Sequence, residues 1–145
     1  MSFQRILIAL NGSPISIHAM EVGSELAKSL GAQVALVHVL DPKLAIAPEG
    51  GFSASVILDH FRQDGRRLLK GASQRIGSEP PPWEYLVEGN PGKEIVKCAE
   101  EWHADLIVLG SHGRSGISRA FLGSTAEGVV RHSQTPVLTV RGPLQ

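Results

Sequence analysis

Apolar residues are bunched along the chain rather than spread evenly. Three blocks are nearly unbroken: Ile6-Leu7-Ile8-Ala9-Leu10, Val34-Ala35-Leu36-Val37 and Leu106-Ile107-Val108-Leu109. Short apolar runs without alternation suit strands of a parallel sheet covered on both faces. With two further stretches they give predicted strands at residues 5–10, 33–40, 83–88, 105–110 and 136–141.

Between the strands the apolar spacing changes to three and four residues. Ser13 is a good N-cap, and Pro14 stands at the first helical position, where a missing N–H costs nothing. Ala19, Val22, Leu26, Ala27 and Leu30 then share one face, and Gly31 supplies the stop. A second helix is predicted over about residues 53–76, with Ile57, Phe61, Leu68, Ala72 and Ile76 as its stripe. A third opens at Asn90-Pro91 and carries Ile95, Cys98, Ala99 and Trp102. A fourth opens at Ser124, where Ser124 and Glu127 have the spacing of a capping box.

The order β-α-β-α-β-α-β-α-β predicts an α/β fold: a five-stranded parallel sheet with right-handed crossovers and helices on both faces. Residues 41–52, rich in proline and glycine, read as a mobile loop, and residues 79–82 as a stiff connector. Neither marks a boundary, so residues 1–145 are expected to form one domain. Glu84 and Glu88 on one side of the third strand suit an exposed edge. Val137, Leu138, Thr139 and Val140 make an apolar last strand with no such protection. Pairing with a second copy would cover it and predicts a homodimer; a helix or the short tail is the alternative cover.

Composition narrows the function. The chain has 145 residues, 42% of them hydrophobic and 19% charged, which suits a self-sufficient core. Fourteen Lys+Arg against 14 Asp+Glu leave a formal net charge of +0. That balance argues against a general grip on nucleic acid or an anionic membrane. Cys98 is the only cysteine, so neither an internal disulfide nor a cysteine zinc cluster can form. No apolar run has the length of a signal-peptide core or a membrane span. The expectation is a soluble, cytoplasmic domain.

Ligands of an open parallel sheet bind beyond the C-terminal strand ends, where the strand order reverses. Two loops leave such ends with unusual composition. One is Asn11-Gly12-Ser13; the other runs Gly110-Ser111-His112-Gly113-Arg114-Ser115-Gly116 and on to Gly123-Ser124-Thr125. Glycines allow backbone N–H groups to approach an anion closely, and a helix opening at Ser124 adds unpaired donors and the positive end of its dipole. The hydroxyls of Ser124 and Thr125 can donate, Arg114 and Arg119 bring positive charge, and His112 lies within reach of a phosphate. Turn formation and helix capping are the plainer reading of the same residues. Neither GxxxxGK[ST] nor GxGxxG is present.

Other features read as structural. The six histidines show no metal-ligand spacing, and His38 in its apolar strand reads as a satisfied core or subunit-contact residue. Cys98 and Trp102 fall on a helix stripe and read as core, with the cysteine inert. GxSxG is absent, and no acid/base pair stands out.

Gly110-x2-Gly113-x9-Gly123-Ser124 matches the G-2x-G-9x-G-[S/T] signature of ATP-binding members of the universal stress protein family. The chain resembles that family over essentially its whole length. Matching blocks include residues 6–13, Leu36-Val37-His38-Val39, residues 105–114 and Thr135-Pro136-Val137-Leu138-Thr139-Val140. The resemblance implies strand order 3-2-1-4-5 and a dimer through the last strand. It implies that Gly113, Gly123, Ser124 and Thr125 hold the phosphates and that Gly110 runs along ribose and phosphates. Ala9 and Val39 would flank an adenine, with Leu10 and Leu109 at neighbouring strand ends. The implied ligand is ATP, ADP or AMP, bound by a regulatory or protective protein with at most slow ATP hydrolysis. One departure stands out: the family usually has Asp where this chain has Asn11. An amide can hydrogen-bond ribose or base but offers no carboxylate to Mg²⁺, which is then expected only through the phosphates.

Overall fold

The computed structural model describes residues 2–45, 53–112 and 122–142. In chain order the elements are β1 (Arg5–Ala9), α1 (Pro14–Leu30), β2 (Gln33–Leu40), a 3-10 turn (Pro42–Leu44), α2 (Ala54–Ile76), β3 (Trp83–Glu88), α3 (Pro91–Trp102), β4 (Leu106–Gly110), α4 (Ser124–His132) and β5 (Val137–Val140). The five strands form one sheet of order β3-β2-β1-β4-β5, with every pairing parallel.

Alternation along the strands divides the core in two. Ile6 and Ile8 of β1 face α1 and α2, where they meet Ala19, Met20, Leu69 and Ala72. Leu7 and Ala9 face α3 and α4, among Ile95, Cys98, Ala99 and Val129. Burial on both faces explains why β1, β2 and β4 read as unbroken apolar runs. Gly23 lets α1 lie close on β1: a Cβ there would stand 2.8 Å from Ile8 Cδ1.

Local signals account for most element ends. Ser13 Oγ accepts from the Ser16 N–H and caps α1, and Gly31 closes it with φ of 67°. Asn90 Oδ1 accepts from the Lys93 N–H and caps α3. Asp105 stands outside β4 because its carboxylate accepts the N–H groups of Gln4 and Arg5 at 2.8 and 2.9 Å, bracing the start of β1.

Three expectations need correction. Ser124 does not cap α4: the N-cap is Gly123, with no side-chain hydrogen bond, and Glu127 pairs with Arg131 at 2.6 Å instead. The helix starts one residue earlier than a capping box requires, which places Ser124 at N1. Leu30, the last residue of α1 before the Gly31 cap, lies outside the core, 49% exposed. On α2 the residue sealed in the core is Leu69, while Leu68 only packs against its margin.

Both predicted edges are edges. On β3, Glu84 and Glu88 are exposed, and Glu88 takes Arg62 of α2 at 2.6 Å. On β5, Val137, Leu138 and Thr139 are half-buried and Val140 is buried. Among the described residues no strand pairs with the outer edge of β5. The loop expected at 41–52 falls largely on residues 46–52, outside the described residues. No described helix is long and apolar enough to cross a membrane.

Candidate functional site

In this strand order the chain crosses from β1 to β2 on one side and reaches β4 on the other, so the ends of β1 and β4 diverge into opposite connections. A cleft of about 700 Å³ opens there. That volume is within the range of small-molecule sites. Every described member of the predicted nucleotide set lines it: Ala9, Leu10, Asn11, Val39, Leu109, Gly110, His112, Gly123, Ser124 and Thr125. Gly113 and Arg114, like Arg119, lie outside the described residues.

One wall is built by hydrogen bonds around Ser111, which is 1% exposed. Its N–H donates to the Val140 carbonyl at 2.8 Å, and its carbonyl accepts the Gly123 N–H at 2.7 Å. The end of β4 and the start of α4 are therefore joined at Ser111. The Gly123 amide is engaged in this bond. Gly123 instead caps α4 without a side chain, and the backbone N–H groups of Ser124, Thr125 and Ala126 remain outside the helix ladder, beside the cleft. Ser111 Oγ and His112 Nδ1 lie 3.0 Å apart, which ties the histidine to the same wall.

The opposite side is more self-contained. Asn11 Oδ1 accepts the Ser13 N–H at 2.9 Å in an Asx turn, and Ser16 Oγ accepts the Asn11 N–H at 3.3 Å. The side-chain oxygen that would correspond to a metal-binding carboxylate is thus turned into the start of α1. Gly110 has a packing role as well: a Cβ there would stand 2.5 Å from Ile15 Cγ2 and 3.4 Å from the Ile15 backbone. Its missing side chain admits α1.

The structure adds lining residues that sequence reasoning missed. Asn90, Pro91 and Gly92 bring the start of α3 to the same cleft, and Asp41, Leu44, Phe61 and Asp64 form the rim beside α2. The Asn-Pro-Gly sequence after β3 was the available signal, since it too follows a strand end and opens a helix. Gly92 also sits against α4, where a Cβ would stand 3.6 Å from both the Gly128 Cα and the Thr125 carbonyl oxygen. The starts of α1, α3 and α4 converge, so their dipoles add at the cleft.

No metal-holding cluster accompanies this arrangement among the described residues. No three His, Cys, Asp or Glu side chains stand close enough together to hold an ion. Cys98 is buried, and burial, with smaller contributions from Glu101 and Glu94, pushes its thiol up to about 11. His38 is satisfied by the Leu10 carbonyl at 2.7 Å. A second hollow of about 260 Å³ lies between β3 and α3, where burial raises the Tyr85 phenol. It is smaller than usual ligand pockets.

An open parallel sheet with a ligand-sized cleft at its switch point defines a doubly wound α/β protein. Residues 2–141 match the model of the universal stress protein family. The chain belongs to that family. Universal stress protein MJ0531 of Methanocaldococcus jannaschii is 32% identical over 97% of this chain and 84% of its own length. Among solved structures, the UspA protein of Lactobacillus plantarum superposes with a TM-score of 0.82 at 22% identity, covering 97% of this chain and 99% of that one. A universal stress protein solved in complex with cAMP gives a TM-score of 0.73 at 25% identity, covering 99% and 100%.

Proposed function

We propose that this protein binds an adenine nucleotide in the cleft and acts as a regulatory or protective stress protein. The observation that carries the reading is the open start of α4. Unpaired amides of Ser124, Thr125 and Ala126, with the hydroxyls of Ser124 and Thr125, face a cleft of ligand size. An anion is what such a group of donors accepts. The relative in complex with cAMP supports an adenine nucleotide as the anion's carrier.

The phosphates lie at the α4 start, the ribose passes Gly110, and the base rests between the ends of β1 and β2 near Ala9 and Val39. Asn11 keeps its side-chain oxygen in the α1 turn, so Mg²⁺ enters only with the phosphates, and AMP or ADP fits as well as ATP. Nucleotide occupancy rather than turnover is the output, with slow hydrolysis at most. Function as a homodimer through Val137, Leu138, Thr139 and Val140 follows from the unpaired β5 edge, and a cytoplasmic location suits such a nucleotide sensor.

Calorimetric titration with AMP, ADP and ATP, with and without Mg²⁺, tests the reading. It is accompanied by chromatography of whatever the purified protein releases on denaturation. Micromolar binding of any one of them, nearly independent of Mg²⁺ for AMP, is expected. If none binds at millimolar concentration and nothing is released, the reading falls.

A further inference from the structure

The hollow of about 260 Å³ between β3 and α3 shares no lining residue with the larger cleft. Tyr85 and Val87 of β3 and Trp102 of α3 give it an apolar, largely aromatic lining. Arg5 and Lys97 bring two positive charges to the same space, and Glu94 and Glu101 bring two negative ones. Among the described residues none of these four pairs with an opposite charge, although Lys97 has the helical spacing to reach either acid.

The charges are not spread evenly along the hollow. Arg5 is fixed at the Trp102 end: its Nη1 donates to the Trp102 carbonyl at 2.7 Å, and its guanidinium carbon stands 5.5 Å from the centre of the indole ring. Trp83 meets the same indole, with ring centres 6.0 Å apart and planes tilted by 52°. Burial raises the Tyr85 phenol, Cys98 raises it further and the Arg5 guanidinium opposes the rise, so phenol, thiol and guanidinium are neighbours. Of the two acids, Glu101 acts on that thiol more strongly. Glu94 lies over the turn that follows β3, where a Cβ at Gly89 would stand 2.8 Å from its Cγ. Beyond the bond to Trp102, the Arg5 guanidinium has no hydrogen-bond partner among the described residues, and the Tyr85 hydroxyl has none. Unpartnered donors, an acid and an apolar floor are thus gathered at one end.

We propose that this hollow binds a free α-amino acid with an apolar side chain. The carboxylate pairs with the Arg5 guanidinium and accepts from the Tyr85 hydroxyl, the ammonium pairs with Glu101, and the side chain lies along Tyr85 and Val87. A ligand with one charge alone would meet a like charge in the lining, whereas a zwitterion finds a partner for each of its ends. Size agrees, since about 260 Å³ falls below the roughly 300–1,000 Å³ of drug-sized sites and suits a molecule as small as one amino acid. Because the two sites share no residue, this one stands whether or not the larger cleft holds a nucleotide.

Calorimetric titration of the full chain with three probes tests the site: L-phenylalanine, 3-phenylpropionate, which lacks the ammonium, and 2-phenylethylamine, which lacks the carboxylate. L-phenylalanine is expected to bind, and each analogue to bind about tenfold more weakly, the loss that goes with one charged hydrogen bond. Arg5→Met, which keeps an apolar stem beside Trp102, should weaken L-phenylalanine about tenfold and leave 2-phenylethylamine unchanged. If Arg5→Met does not fold, the exposed Glu101→Gln takes its place and should bring L-phenylalanine down to the level of 3-phenylpropionate. No binding of L-phenylalanine at tens of millimolar overturns the proposal. So does equal binding of the three probes, which marks a merely apolar recess, and so does full affinity for L-phenylalanine in either variant.

Discussion

The starts of α1 and α4 face the same cleft and are finished in opposite ways. At α1, Ser13 caps the first turn, Asn11 folds its side chain back onto the Ser13 N–H, and Ser16 closes the ring of bonds. At α4 the cap is glycine, and no side chain reaches the first amides. Both sequences begin with residues that favour caps. The difference arises because Gly123 is anchored through its own N–H to the Ser111 carbonyl, which fixes the N-cap one residue before Ser124. One helix start spends its donors internally. The other keeps them for something that arrives from outside.

That contrast can be attacked from either side. The largest effect is expected at Gly110, on the closed side. Gly110→Val would drive a side chain into Ile15 and should cost about 3 kcal/mol of stability, read by denaturant unfolding. Trimming the obstacle in an Ile15→Ala background should recover part of the loss. Next comes a probe that leaves both helix starts untouched. The folded Cys98 thiol titrates near 11 against an ordinary 9.0, so the folded state favours its neutral form. The resulting stabilisation is complete below about pH 9 and is lost as pH rises towards 11, with a slope of up to about 1.4 kcal/mol per pH unit. Comparing pH-dependent unfolding of the wild type with Cys98→Ala isolates it.

On the open side, Gly123→Asp would supply the missing cap and put a negative charge at the proposed phosphate position. Nucleotide affinity is expected to drop at least tenfold while the helix remains formed, as judged by circular dichroism. Unchanged affinity would erase the contrast between the two starts. The smallest effect belongs to Ser13→Ala, which removes the α1 cap at a cost of about 1 kcal/mol and leaves nucleotide affinity within twofold. If Ser13→Ala weakens binding as much as Gly123→Asp, both starts serve the ligand equally.

Much of this architecture was legible before any coordinates. Unbroken runs such as Leu106-Ile107-Val108-Leu109 identify strands buried on both faces, and Ser13-Pro14 with Gly31 brackets α1 closely. Such signals are local, so sequence carries them directly. Helix α4 was harder, because Ser124 with Glu127 satisfies the capping-box pattern, and only the distant Ser111 carbonyl decides against it. The contribution of Asn90-Pro91-Gly92 and of the α2 rim to the cleft was also missed. Those residues come together through the crossovers, far apart along the chain. Gly110 shows the converse, since its place in the glycine signature suggested ligand approach and the fold adds helix packing by Ile15.

The clasp between Ser111 and Gly123 carries a further implication for engineering. Because the Ser111 N–H holds the Val140 carbonyl and the Ser111 carbonyl holds the Gly123 N–H, the ends of β4 and β5 and the start of α4 are tied together at one residue. A redesign of this scaffold should therefore keep both of those hydrogen bonds, since they seat α4 against the sheet.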